Sequence, residues 1–163
     1  MPERSVVHST FTIERTYDRP PTRVFAAWAD PGLKSRWFGG GTDDAPIDLD
    51  TDFRVGGHET DRGEPGAYEA RYHEIVPDER IVFTYDLSLG GSLVSVSLAT
   101  VEFRATRDSS GTQLTYTEHG AFFDGLDDPE LRRNGTGGML DELGRWLERP
   151  QPTVPKVARP AGR

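Results

Sequence analysis

Apolar residues recur along this chain with two periods, and the change of period divides it into elements. From Thr10 to Tyr17 the alternation is strict, with Phe11, Ile13 and Tyr17 on one side and Thr12, Glu14 and Thr16 on the other. That is the pattern of a strand with one wet face. Arg19-Pro20-Pro21-Thr22 ends it, and Val24, Phe25 and Trp28 then fall on one helical stripe. Asp30-Pro31 repeats a cap-plus-proline signal and predicts a second short helix through Leu33, Trp37 and Phe38, closed by Gly39-Gly40-Gly41.

From Ile47 to Phe123 the period is two. Brief strands are predicted over Ile47–Asp50 and Asp52–Glu59, the second with Phe53, Val55, Gly57 and Glu59 in one phase. Longer ones follow over Ala67–Val76, Ile81–Ser88 and Leu93–Ala105. The phase of Leu93–Ala105 switches midway, from Val94, Val96 and Leu98 to Val101, Phe103 and Ala105, which predicts a bulge near Ala99-Thr100. The last strand carries Leu114, Tyr116 and Glu118 on one side. The connections are short and rich in Gly, Pro and Asp, so there is no room for crossover helices and the sheet is antiparallel. One face of such a sheet needs cover.

The cover comes from Asp128 to Pro150. Asp128 is the N-cap, Pro129 takes the first helical position, Met139, Leu143, Trp146 and Leu147 follow at helical spacing, and Pro150 stops the run. Gly135, Gly137 and Gly138 interrupt it, each at a cost of about 1 kcal/mol relative to Ala. Two readings stand for them: a kink or late helix start, or a helix face stripped of side chains where something else fills the space. Residues 1–8 and 150–163 read as tails around a single domain at 9–149.

Composition narrows the function. A net charge of -8 argues against nucleic acid or an anionic membrane as partner. No apolar run reaches the roughly 20 residues of a membrane span, and no leader pattern opens the chain, so the cytoplasm is the expected compartment. Cysteine is absent, which removes thiol nucleophiles and Cys-ligated metals together. Lys34 and Lys156 are the only lysines, which we read as the codon bias of a GC-rich bacterium. His58, His73 and His119 lack metal-ligand spacing, so neither a metal nor another cofactor is expected.

The blocks IERTYDRPPTRVFAAWADPGLKSRWF (13–38), FRVGGHE (53–59), IVPDERIVFTYD (75–86), SVSLATVEF (95–103) and TYTEHGAFFDG (115–125), followed by GMLDELGRWL, together resemble the START/Bet v 1-like (SRPBCC) superfamily. Within it the chain is similar to the bacterial activator-of-Hsp90-ATPase-like, or polyketide cyclase-like, proteins. The resemblance implies an α+β helix-grip fold: a curved antiparallel sheet wrapped around a long C-terminal helix, with two short helices after the first strand. It also implies a hydrophobic cavity between sheet and helix that binds small organic molecules. A cyclase- or dehydratase-type reaction there, and contact with a chaperone or regulator, are the alternatives.

Two carboxylates are candidates for chemistry. Glu118 shares phase with Leu114 and Tyr116, so alternation turns it inward as a desolvated acid or base; the other reading places it at a wet strand end beside an Arg. Glu59 either joins it or is flipped outward by a bulge at Gly56-Gly57. The aromatics Trp28, Trp37, Phe38, Tyr72, Phe83, Tyr85, Phe103, Tyr116 and Phe122 are core residues by default and cavity lining if the resemblance holds. Ser95 and Ser97, small and in phase with Ala99, would leave volume opposite Gly135, Gly138 and Met139. The other phase, Val94, Val96 and Leu98, would then be an exposed apolar stripe, from which we expect a homodimer.

Overall fold

The computed structural model describes residues 4–150; the predicted tails at 1–3 and 151–163 lie outside the described residues. The strict alternation of the first strand is realised as β1 (Val6–Tyr17), which starts before Thr10 and draws the predicted tail partly into the sheet. Two helices follow, α1 (Pro21–Ala29) and α2 (Pro31–Lys34), the second opened by the Asp30 side chain accepting from the Gly32 N–H. A 3₁₀ turn (Phe38–Gly40) then leads to β2 (Leu49–Thr51), β3 (His58–Asp61), β4 (Tyr68–Val76), β5 (Arg80–Leu89), β6 (Ser92–Ala105) and β7 (Thr112–Phe123). The chain closes with α3 (Pro129–Glu148).

All the strands pair antiparallel in one sheet, in the order β1-β7-β6-β5-β4-β3-β2. β1 thus crosses to the far side of β7, and the sheet curves over α3. The buried side of α3 is Leu140, Leu143, Trp146 and Leu147. It packs into one core with Phe11, Ile13 and Tyr17 of β1, the α1 stripe, and the inward residues of β4 to β7. Tyr17 ties helix to sheet by donating to the Leu140 carbonyl at 2.8 Å. The element order and topology are those of the helix-grip fold.

Two local expectations are corrected, and one of two open readings is excluded. The bulge in β6 sits opposite Leu87 and Ser88, around Val94, and not at Ala99-Thr100. Val94 is therefore 1 % exposed, while Ser95, Ser97, Ala99, Val101 and Phe103 form one unbroken inward row. The stretch from Asp52 to Gly57 is a loop, with Val55 in solvent and Gly56 at φ 82°, so the strand begins only at His58. Helix α3 runs through Gly135, Gly137 and Gly138 without a break or late start.

Candidate functional site

Alternation puts both predicted carboxylates inside. Glu59, on β3, is 0 % exposed, and Glu118, on β7, is 1 % exposed. They are satisfied differently. Lys34 Nζ lies 2.6 Å from Glu59 Oε2, and Thr51, Tyr68 and Tyr72 donate to the same carboxylate at 3.0, 3.1 and 3.1 Å. The Lys34 ammonium is itself buried, 4.3 Å from the Phe38 ring centroid and 5.3 Å from that of Trp28. Charge, hydrogen bonds and aromatic faces compensate one another, as a buried pair requires.

Glu118 has no such cation in contact. Tyr85 and Tyr116 donate to Oε1 at 2.8 and 2.7 Å, and Oε2 is buried with no hydrogen-bond partner among the described residues. The nearest cation, Arg132 Nη1, stands 3.8 Å from Oε2. Burial raises the pKa of Glu118 above the ordinary glutamate value, outweighing the tyrosine hydrogen bonds, Arg132 and the nearby Ser97 hydroxyl, which lower it. Burial likewise raises Tyr85 and Tyr116, and the charge of Glu118 adds to the shift in both.

Beside this cluster, between the sheet and α3, is a cavity of about 420 Å³. Its floor is aromatic, from Phe38, Tyr68, Phe83, Tyr85 and Tyr116. Ile47, Leu49, Leu87 and Met139 make up more of its apolar wall. On the helix side Arg132, Gly135 and Thr136 face it, and a Cβ built on Gly135 would meet nothing within 4 Å. The acidic side chains on the wall are Asp61, Glu64 and Asp127, all at least partly exposed.

Of the residues expected to line such a space, Phe38, Phe83, Tyr85, Tyr116, Gly135 and Met139 do so. The others are not on its wall. Trp28 and Trp37 pack on each other with ring centroids 4.9 Å apart, deep in the core. Phe103 is buried edge-on to Phe25, and Tyr72 is taken up by Glu59. Phe122 lies under the Arg132 guanidinium, 5.0 Å from centroid to Cζ. Ser95 accepts from Arg132 at 2.8 Å, and Ser97 Oγ is buried without a partner. Gly138 borders a different groove with Arg133 and Asp141, against the β1 side. The two glutamates are not cavity-lining either, since tyrosines stand in front of each.

Sequence reasoning missed Lys34 and Arg132. Arg132 was visible in principle, because Thr136, Met139 and Leu143 follow it at spacings of one helical face. It lay instead in the polar run Arg132-Arg133-Asn134, which reads as surface. No cluster of three or more His, Cys, Asp or Glu suited to a metal occurs among the described residues. No described helix is long and apolar enough to cross a membrane.

A curved sheet gripping a terminal helix around an internal cavity defines a helix-grip protein. Residues 18–148 match the family of Activator of Hsp90 ATPase homolog 1-like proteins, and the chain belongs to that family, within the START/Bet v 1-like superfamily. Mll3558 from Rhizobium loti is 47 % identical over 87 % of this chain and 99 % of its own, with a TM-score of 0.77. An uncharacterised protein from Rhizobium leguminosarum is 39 % identical over 91 % of this chain and 99 % of its own, with a TM-score of 0.82. An AHSA1-like protein from Aeromonas hydrophila shares the fold at 21 % identity, covering 86 % of this chain and 92 % of its own, with a TM-score of 0.62. No curated protein matches the chain.

Proposed function

We propose that this protein binds a small, largely apolar organic molecule in the cavity between the sheet and α3. The observation that carries this is the cavity itself: about 420 Å³ of space with aromatic and aliphatic walls, inside the size range of small-molecule sites. Membership of a family built on the helix-grip fold supports the same reading. A screen of metabolites by thermal shift tests it. A binder held at a hundred times its Kd adds about 2.7 kcal/mol to stability, or roughly 5–10 °C in Tm for a domain of this size. A module that works only by surface contact with a chaperone would show no shift with any small molecule.

One observation favours a catalytic variant of this reading. Glu118 is a buried carboxyl whose pKa burial raises, and Tyr85 and Tyr116, which donate to it, line the cavity, so Glu118 would act on a bound molecule through a tyrosine hydroxyl. In that case Glu118→Gln keeps binding of the screened ligand and abolishes its turnover. If wild type leaves every bound ligand unchanged, the protein is a binder only.

A further inference from the structure

The polar groups on the cavity wall are unevenly committed, and this restricts what can fill it. Tyr68 gives its hydroxyl proton to Glu59, Tyr85 and Tyr116 give theirs to Glu118, and Thr136 gives its own to the Arg132 carbonyl. These oxygens have only lone pairs left for a ligand. Ser88, half-exposed on the wall, is the exception. Arg132 is different. A guanidinium has five N–H donors; one is directed to Tyr85 at 3.0 Å, and two from Nη2 go to Ser95 and Asp127 at 2.8 and 2.6 Å. The Nε–H makes no hydrogen bond among the described residues, and the second Nη1–H has Glu118 Oε2 no nearer than 3.8 Å from its nitrogen. The side chain is 9 % exposed and is fixed by those three bonds and by its stacking over Phe122 and Tyr85.

Charge narrows the choice further. Among the described residues Arg132 is the only basic one on the wall, against Asp61, Glu64 and Asp127. Its charge is already balanced by Asp127. A ligand carboxylate would add a negative charge to a site that already has an excess of them. A ligand ammonium would face the guanidinium. An uncharged acceptor oxygen meets neither penalty and supplies what the spare N–H groups lack.

We propose that Arg132 is the ligand-orienting residue of this cavity, and that its ligand is an uncharged apolar molecule bearing a carbonyl-type acceptor oxygen. This rests on the cavity being a ligand site, as proposed above. Four probes of similar shape test it, titrated calorimetrically into wild type, Arg132→Met and Arg132→Lys: 2-acetylnaphthalene, 2-ethylnaphthalene, 2-naphthoate and 2-(aminomethyl)naphthalene as its ammonium. Wild type is expected to bind the ketone at least about tenfold more tightly than the hydrocarbon, the usual worth of one hydrogen bond to a charged group. It should also prefer the ketone to both charged probes. Arg132→Met should bind ketone and hydrocarbon alike, at the level of the wild-type hydrocarbon. Arg132→Lys, which keeps the charge if Met disturbs the fold, should lose part of the ketone preference. Equal binding of ketone and hydrocarbon by wild type, preference for naphthoate or the ammonium, or a ketone preference that survives both substitutions would overturn the assignment while leaving the cavity a ligand site. If none of the four binds folded wild type, the cavity reading fails and the assignment with it.

Discussion

Glu59 and Glu118 are both taken out of water, but only one is compensated by a full charge in contact. Lys34 at 2.6 Å and three hydroxyl donors hold Glu59 in place, and removing the lysine alone would strand a carboxylate in the core. Glu118 has two hydroxyls on one oxygen and none on the other, and keeps its proton to higher pH than an ordinary glutamate. In the unfolded chain it loses that proton at the ordinary value. Between the two pKa values the unfolded state therefore binds fewer protons than the folded one, and stability falls as pH rises through that window. Glu118→Gln mimics the neutral acid: its carbonyl can accept from both tyrosines, and it does not titrate. Melting curves from pH 4 upward should show the variant gaining on wild type as pH rises, the gap levelling off above the raised pKa. A gap that shrinks with pH would mean that Glu118 is held ionised. Alternation offered the inward direction of Glu118 as one of two readings, whereas the residues expected to share phase with Glu59, Phe53 to Gly57, form a loop, so its direction follows from the pairing of β3 with β4. Alternation could not give the partners of either, because Lys34, Thr51, Tyr85 and Arg132 come from other elements, and their meeting depends on how those elements pack.

At the scale of elements, the contrast is between β6 and α3. The inward direction of Ser95 and Ser97 was readable, but the bulge in β6 was misplaced, because Val94, Val96 and Leu98 form a better apolar series and hydrophobic period alone puts the bulge in the wrong half of the strand. The small residues stand inward because Ser95 accepts from Arg132, and Ser97 pairs across the sheet with Gly120. In α3 the caps were legible, with the Asp128 side chain accepting from the Glu130 N–H at 2.9 Å, but the purpose of the glycines was not. A Cβ on Gly135 or Gly138 meets nothing within 4 Å, yet only Gly135 borders the cavity. The two positions therefore separate helix propensity from cavity volume. Gly138→Ala should stabilise the fold by about 0.5–1 kcal/mol and leave binding of 2-acetylnaphthalene unchanged. Gly135→Phe should fold as well but place its ring in the cavity, cutting affinity for the same probe by at least about tenfold. Parallel urea melts and titrations decide the matter, and a Gly135→Phe protein that binds like wild type would remove α3 from the wall of the site.

At the scale of the whole molecule, the helix-grip architecture could be read from element order and turn chemistry, whereas the cavity is a property of packing that no stretch of sequence carries. The outer face of the sheet poses the same problem in reverse. With Val94 turned inward, the exposed apolar series keeps Val96 at 36 % and Leu98 at 40 % exposure. The fold adds to it, because antiparallel register brings residues from distant parts of the chain alongside. Ala121 pairs with Val96, and Phe123 pairs with Val6, which shares a shallow groove with Leu93 and Leu126. The resulting patch runs across the ends of β1, β7 and β6 on the side away from α3, where no described element covers it. It is larger than the sequence stripe, and sheet faces of this kind gain by pairing with a second copy. Sedimentation equilibrium is expected to show a dimer at high micromolar concentration, with thermal-shift responses to ligand unchanged because the cavity opens on the other side of the sheet. Leu98→Glu, a charge in the middle of the patch, should return the protein to a monomer without lowering Tm in dilute solution. Wild type sedimenting as a monomer throughout would mean that the patch is solvated as it stands, and that the molecule works as a single chain.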